Sequence, residues 1–470
     1  MDIIVPHTFD YARVWGCSIL EDNRSYNEWA GGTTYGDGDY VIVAADHKVY
    51  ESLQAANTGH IPSSSPTWWL DLGATNRYMP FDGYINTQTY VVDDLCWALD
   101  TFTLTDDNIV DSVSLHNIRA DTVQVVQAEL TSNAILNNTA WTGATGATPP
   151  NSWDAVGSPS FDIDTNTIKI TATAAGDGMK QTVAAVAGTE YQLIGKYRNT
   201  AGDYAQYRIV ANVEEPVTDQ TDNIVVNQNG DTVYLSAQSA IDLTDLSSRV
   251  GDLCLFSAVF TAPAGCTSVT VYLTAKNAGD IVWFDSIYLM ETDYNETQTT
   301  RETITTANYA TYFRNPIAKT LYTYKTDVVF TDIPAKSPAF SYYPIITIFL
   351  TGSACYCGEI VYGNKFEIGA MRYSPTISIT DYSMKTVDTY GNVSITERTY
   401  AKRLNCRMMI YNTILDEVAR RLALYRSTAL VWVGSTDYTS LIVYGYYKSF
   451  DITVPYLEFS ECSLEIEGMI

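Results

Sequence analysis

Apolar and polar residues alternate with a period of two over much of this chain. Between residues 102 and 126 the pattern occurs three times, and it is typical of β-strands that bury one face. The same alternation returns between residues 327 and 350. We therefore expect residues 84–128 and 296–365 to form one β-sandwich, hereafter the sandwich, that is interrupted by an inserted domain.

The intervening residues 129–295 predict a jelly roll. Short strand segments recur there at intervals of roughly 10 residues, and turns rich in Gly, Asn and Pro separate them. Examples are residues 167–171, 269–273 and 282–289. Both ends of this insertion fall at loops of the sandwich, where an insertion costs little free energy.

The C-terminal residues 366–470 predict an α+β domain with one main helix, from Leu415 to Leu424. Apolar residues fall at i, i+3, i+4 and i+7 between Leu415 and Leu422, acidic residues stand near the start of this segment, and arginines follow. Strand patterns lie on both sides of the helix. The expected fold class is therefore mostly β and multi-domain.

Residues 29–83 predict a small, aromatic-rich module of three strands. Trp29, a Tyr-x-x-Gly-Asp-x-Val strand at residues 35–41, an Asn-x-Gly turn at residues 57–59 and a closing Trp68 follow one another. This spacing resembles the chitin-binding modules of chitinases. Residues 1–28 have no clean period, and we expect an arm that packs on another surface.

Other segments resemble structural proteins of tailed bacteriophages. They are Gly-Ala-Thr-Asn-Arg-Tyr-Met-Pro-Phe-Asp at residues 73–82, Asp-Tyr-Ser-x-Lys-x-x-Asp at 381–388, Val-Trp-Val-Gly at 431–434 and Cys-Ser-Leu-Glu-Ile-Glu-Gly at 462–468. The resemblance implies a virion component and makes residues 366–470 a virion-anchoring domain.

The predicted jelly roll resembles the carbohydrate-binding modules of xylanases and cellulases. The resemblance lies in Gly-Thr-x-Tyr at residues 188–191 and in the closing Phe-Asp-x-Ile at residues 284–287. It implies sugar binding and a structural calcium held by Asp285, with Asn133 or Asp162 as further ligands. The alternative for Asp285 is a solvated carboxylate.

The net charge of the chain limits the kinds of molecule that it can bind. The formal net charge is −26, and such a surface repels nucleic acid and anionic membranes. No apolar run reaches transmembrane length, and the residues after Met1 do not resemble a signal peptide. We expect a protein assembled in the host cytoplasm, without nucleic acid as a partner and without membrane insertion.

Catalytic motifs are lacking, so we do not expect an enzyme. The four histidines are not in metal-binding spacings, and no Gly-x-Ser-x-Gly or phosphate-binding loop is present. The eight cysteines are expected to be buried free thiols, with a metal site of Cys355, Cys357, Cys406 and Cys462 as the alternative. Ser383 and Lys385 are expected to be structural.

Exposed aromatic rings that stack on sugars are the candidate binding residues. In the small module these are Trp68 and Trp69, which as neighbours in a strand cannot both point inward. For each candidate the alternative is a place in the core, which we expect for Trp283. In the jelly roll the candidates are Trp141, Trp153, Tyr204, Tyr207 and Tyr234.

Together these patterns predict a structural protein of a phage tail, located at the tip, baseplate or collar. Its jelly roll would bind host-surface polysaccharide, and its other partners would be virion proteins and further copies of itself, as a trimer or hexamer. The first alternative is a purely architectural adaptor or capsid decoration protein. The second alternative is a polysaccharide depolymerase.

Overall fold

The structure is a computed structural model that describes residues 1–21, 26–100, 110–129, 141–216, 234–246, 249–250, 252–304, 321–334, 344–372 and 374–470. Within these ranges the chain is mostly β, as predicted, and its one α-helix lies in the C-terminal part. The strand predicted at residues 102–105 and the possible calcium ligand Asn133 lie outside the described residues.

The N-terminal part is built from short strands and three 3-10 turns, Tyr11–Arg13, Pro62–Ser64 and Met79–Phe81. Its strands are β1 (Asp2–Pro6), β2 (Val14–Cys17), β3 (Asn27–Glu28), β4 (Thr34–Tyr35), β5 (Tyr40–Val43), β6 (Lys48–Ser52), β7 (Asn57–Thr58) and β8 (Trp69–Ala74). The small module is a sheet of β3, β5, β6 and β8 with a separate β4–β7 ribbon, where three strands were expected.

The sandwich and the jelly roll follow along the chain. The sandwich strands before the insertion are β9 (Leu95–Asp100), β10 (Ser112–His116) and β11 (Thr122–Glu129). Those of the jelly roll are β12 (Asp154–Val156), β13 (Ser160–Asp164), β14 (Thr167–Thr171), β15 (Gly178–Ala184), β16 (Glu190–Asn199), β17 (Ala205–Pro216), β18 (Tyr234–Asp245), β19 (Cys254–Thr261), β20 (Cys266–Ala275) and β21 (Ile281–Thr299).

The remaining strands complete the sandwich and the C-terminal domain. They are β22 (Arg301–Ile304), β23 (Leu321–Tyr324), β24 (Asp327–Phe330), β25 (Pro344–Thr351), β26 (Glu359–Glu367), β27 (Ala370–Met371), β28 (Thr376–Asp381), β29 (Met384–Val387), β30 (Val393–Thr396), β31 (Tyr400–Tyr411), β32 (Leu430–Val433), β33 (Ile442–Thr453) and β34 (Phe459–Gly468). Helix α1 spans Leu415–Leu424, as its apolar spacing predicts, and a 3-10 turn spans Thr439–Leu441.

Two large sheets form the body of the molecule. In the first, the described strands run β24–β10–β26–β1–β32–β33–β34–β31–β27, and β28 also pairs with β31. In the second they run β13–β14–β21–β11–β25–β9–β2, with β16 paired to β21 and to β19. Residues 1–28, expected as an arm, therefore contribute β1 to the first sheet and β2 to the second.

Apolar side chains from both sheets meet in the sandwich core. Helix α1 covers a separate C-terminal core, where Val418 and Leu422 join the same buried cluster as Trp432. Glycine permits a close approach at Gly363, because a Cβ atom there would lie 1.9 Å from the Val5 carbonyl oxygen on the neighbouring strand β1. The sandwich core includes Leu95, Trp97, Leu115, Val125, Phe330 and Ile348.

Strand β21 belongs to both the jelly roll and the sandwich. Its first part pairs with β14 and β16, and residues 292–299 pair with β11. The jelly roll is thus joined to the sandwich by a continuous strand. Its second sheet, of β12–β15–β20–β17–β18, lies across the jelly-roll core.

The outer face of β16 and β19 packs on the sandwich. Ile194 and Leu255 of the jelly roll share a buried cluster with Ala98 and Ile345 of the sandwich. The Gln192 side-chain amide donates a buried hydrogen bond of 2.8 Å to Thr347 Oγ1 across this contact. The part of this sheet formed by β16 and β19 is therefore covered by the sandwich, whereas the five-strand sheet contributes no residue to this buried cluster.

Candidate functional site

The outer face of the five-strand sheet carries a row of polar side chains around one tyrosine. Strand alternation places the odd-numbered residues from Ala205 to Val213 and from Val269 to Ala275 in the jelly-roll core and turns the even-numbered ones to the opposite face, where Thr270 and Tyr272 are 4% and 8% exposed beneath their neighbours. Lys180, Tyr272, Arg208 and Leu243 stand opposite one another in register across four strands. The Arg208 guanidinium carbon lies 3.9 Å from the centre of the Tyr272 ring, and Lys180 Nζ lies 6.0 Å from it.

A second group of amides and hydroxyls lies beside this row. Asn212 Nδ2 donates to Ser268 Oγ at 3.0 Å and to Thr270 Oγ1 at 3.1 Å, and Gln238 Nε2 donates to Asn212 Oδ1 at 3.3 Å. The hydroxyls of Thr182 and Thr270 are 2.8 Å apart. These groups have both donors and acceptors, as the hydroxyls of a sugar do.

Tyr204 stands at the end of this face, just before β17, and is 39% exposed. Lys276 Nζ lies 5.6 Å from the centre of its ring. Asp245 accepts hydrogen bonds from Lys276 and from Gln206, and these bonds lower the pKa of the Asp245 carboxyl. We call this surface, from Tyr204 and Lys276 to Arg208 and Asn212, the polar face.

Three residues that were predicted to bind sugar lie in the jelly-roll core, so this prediction is wrong for them. Trp141, Trp153 and Tyr207 are only 2–4% exposed, and the two indole rings are 6.0 Å apart. The Tyr207 hydroxyl donates to Asp242 at 2.8 Å, while burial raises its pKa. Their rings cannot stack on a sugar. Tyr234 belongs to β18, but its side chain lies outside the described residues.

Of the two neighbouring tryptophans of the small module, one points into the core and the other does not, as predicted. Trp69 is a core residue at 2% exposure, so it is wrong as a sugar-binding candidate, and its indole N–H donates to the His60 carbonyl at 2.8 Å. Trp68 is half-buried and stacks on the His60 ring with the centroids 3.9 Å apart. Trp68 stays a candidate.

The predicted calcium ligand Asp285 lies on β21. It stands opposite Lys196 in the β16–β21 pairing, and its carboxylate accepts a hydrogen bond of 3.0 Å from Ser286. Asp162 is exposed on β13. Among the described residues no group of three or more His, Cys, Asp or Glu is placed to hold a metal ion.

Trp283 is half-buried on the outer face of β21 and was expected in the core. Its indole N–H donates to Asp164 at 3.0 Å, and the Arg198 guanidinium carbon lies 4.7 Å from its ring.

Sequence reasoning also missed Arg208, Tyr272 and Asn212. The alternation along β17 and β20 was the available signal, since their odd positions are apolar or small.

The eight cysteines are buried and unpaired, as expected. Cys355 and Cys357 lie in the sandwich core, whereas Cys406 and Cys462 lie in the C-terminal core, so the four do not form one site. Burial raises the pKa of Cys355 to about 11 and that of Cys406 to about 11.

A buried hydrogen-bonded chain joins Ser114, His116 and Asp327. The serine Oγ lies 2.9 Å from His116 Nε2, and His116 Nδ1 lies 3.0 Å from Asp327 Oδ1. Burial lowers the pKa of His116; burial alone would raise that of Asp327, but the bond from His116 and the charge of Lys402 hold it low. Ser114 is fully buried, which leaves its hydroxyl no surface for a substrate. These hydrogen bonds join β10 to β24, and Lys402 extends them to β31.

A groove of about 330 Å³ lies between the first sheet and the loop after Met79–Phe81. Its walls include Asp82, Glu359, Tyr362 and Tyr444. Glu359 is 4% exposed and accepts a hydrogen bond of 3.1 Å from the Gly83 backbone N–H. Burial, with the charge of Asp82 adding to it, raises the pKa of the Glu359 carboxyl well above its usual value.

The described part of the chain contains no helix long and apolar enough to cross a membrane. No protein-family model matches the sequence, and no curated protein matches it.

Solved structures that resemble a third of the chain include carbohydrate-binding modules and one phage tailspike domain. The xylan-binding domain CBM22-1 from Paenibacillus barcinonensis is 16% identical, with 33% of this chain and 91% of that one covered, at a TM-score of 0.22. A putative sugar-binding protein from Bacteroides thetaiotaomicron is 11% identical, with 34% and 100% covered, at 0.24. The enzymatically active domain of tailspike protein 4 from bacteriophage CBA120 is 13% identical, with 34% and 21% covered, at 0.22.

Proposed function

We propose that this chain is a structural protein of a bacteriophage tail, at the tip, baseplate or collar, whose jelly roll binds host-surface polysaccharide. The observation that supports sugar binding is the polar face. It offers a guanidinium, amides, hydroxyls and the partly exposed Tyr204 on the jelly-roll sheet that does not pack on the sandwich.

The tail role rests on the resemblance of the N-terminal and C-terminal segments to phage structural proteins. Strand β1 and strands β31–β34 belong to one sheet, which is separate from the five-strand sheet that carries the polar face. On a symmetric particle, many copies would turn weak binding at one face into strong attachment.

Binding of the full chain to host cells and to their purified polysaccharide tests this proposal. We expect the double substitution Tyr204→Ala/Arg208→Ala to weaken binding at least about 10-fold, because it removes a stacking ring and a charged donor. Tyr84→Ala/Arg407→Ala is the matched control, since both residues are exposed outside the jelly roll. Equal binding by both variants would contradict a role for the polar face.

The architectural alternative is favoured by the covered β16–β19 face, which shows that this jelly roll already serves as a packing surface. In that case the full chain would bind neither host cells nor their polysaccharide. Release of new reducing ends from a bound polysaccharide would instead indicate a depolymerase.

A further inference from the structure

A two-stranded hairpin projects from the C-terminal domain with both of its faces uncovered. Every residue from 384 to 400 is exposed. We call these residues the arm. Strands β29 and β30 pair only with each other among the described residues, and the tip is closed by Asp388, whose carboxylate accepts bonds of 2.8 Å from the backbone N–H groups of Tyr390 and Asn392. An isolated hairpin is marginally stable in water, so this one calls for a covering surface.

Six of the 17 residues of the arm are large apolar or aromatic ones, and they are 48–90% exposed. At about 150–250 Å² for each tyrosine and about 60–120 Å² for each aliphatic side chain, they present roughly 500 Å² of surface. A standard interface buries about 800 Å² per partner, slightly more than half of it apolar, so the arm could supply that apolar share. The six are Met384, Val387, Tyr390, Val393, Ile395 and Tyr400.

The charge of the arm does not oppose another copy of this chain as the partner. The arm carries Lys385, Arg398, Asp388 and Glu397, whose charges cancel, whereas the whole chain has a net charge of −26. Two copies therefore repel each other over most of their surfaces and least at the arm.

A second apolar surface lies at the other end of β31. We call it the loop patch: Tyr411, Ile414, Val454, Tyr456 and Leu457, which are 37–98% exposed. Asn412 Nδ2 donates bonds of 3.0 Å to the carbonyls of Tyr456 and Leu457, which fixes the loop to the end of β31. At about 3.3 Å per residue, the 12 residues of β31 hold the arm and the loop patch roughly 35 Å apart.

We propose that the arm of one copy docks on the loop patch of another copy, so that two different surfaces of this chain meet. Such a contact forms a ring when the rotation between copies closes, and a reciprocal dimer when each copy gives its arm to the other. The residues involved are separate from the jelly roll, so failure of this proposal would leave the proposed sugar binding untouched.

Sedimentation velocity of the full chain at micromolar concentration tests the proposal. The arm variant is Val387→Ser/Val393→Ser/Ile395→Ser, three residues on one face of the hairpin, and the patch variant is Tyr456→Ser/Leu457→Ser. The control is Thr386→Ala/Ser394→Ala on the opposite face. We expect a discrete oligomer for the natural chain and the control, and self-association at least about 100-fold weaker for the other two variants.

Mixing provides the decisive measurement. The arm variant keeps its loop patch and the patch variant keeps its arm, so an equimolar mixture should form heterodimers and nothing larger. Unchanged melting temperatures would show that all variants are folded. A natural chain that stays monomeric would overturn the proposal, and so would a patch variant that assembles as well as the natural chain, because the arms would then pair with each other.

Discussion

The substitution Trp141→Ala tests whether Trp141 is a core residue or a sugar-binding residue. The side chain is 2% exposed, and a tryptophan buries about 150–250 Å², which at about 25 cal/mol per Å² amounts to roughly 4–6 kcal/mol. Measured Trp→Ala changes in cores cost about 3–5 kcal/mol, so the two estimates agree. Either value is a large part of the stability of a domain.

Hydrogen exchange in the full chain, followed by mass spectrometry, is the appropriate assay, since several domains would not unfold in one step. We expect exchange in β14 and β21 to accelerate by about 100- to 5,000-fold in Trp141→Ala, and by less in Trp141→Phe, which keeps a ring. Tyr204→Ala, at a partly exposed position, is the control and should leave exchange nearly unchanged. If Trp141→Ala instead left exchange unchanged and abolished polysaccharide binding, our placement of Trp141 would be refuted.

Three further predictions concern the sandwich. Because burial raises the folded-state pKa of Glu359 above its unfolded value, its carboxyl begins to disfavour folding as the pH rises through the unfolded pKa, at about 4.3, and the cost grows until the folded pKa is reached; Glu359→Gln should therefore raise the melting temperature at pH 7, and the gain should vanish below about pH 4. Burial lowers the pKa of His116, so the unfolded chain takes up its proton first, and urea titrations should show stability falling as the pH drops below about 6.5. Gly363→Ala should lower the melting temperature by several degrees, since the new Cβ would press on the Val5 carbonyl, whereas Gly32→Ala, with no atom within 4 Å, should not.

Local periodicity predicted the elements that depend on nearby residues. Helix α1 has the predicted bounds, because one apolar stripe of period 3.6 specifies it, and β14 spans the predicted residues 167–171. The pairing of β1 with β26, more than 350 residues away, leaves no local signal in the sequence.

The site was harder to predict than the fold. Trp141 and Trp153 lie outside regular strands, where no period shows which way a side chain points. Arg208 and Tyr272 become neighbours only through the register of β17 and β20, and a register shift of one residue would have turned both into the core.

The shared strand β21 has a mechanical consequence. It is 19 residues long, roughly 60 Å, and it enters the jelly roll and the sandwich without a flexible joint. A pull on the polar face would load β21 along its length, in shear against the ladders it makes with β16 and β11, instead of stretching a linker. The polar face would thus keep its angle to the sandwich under tension.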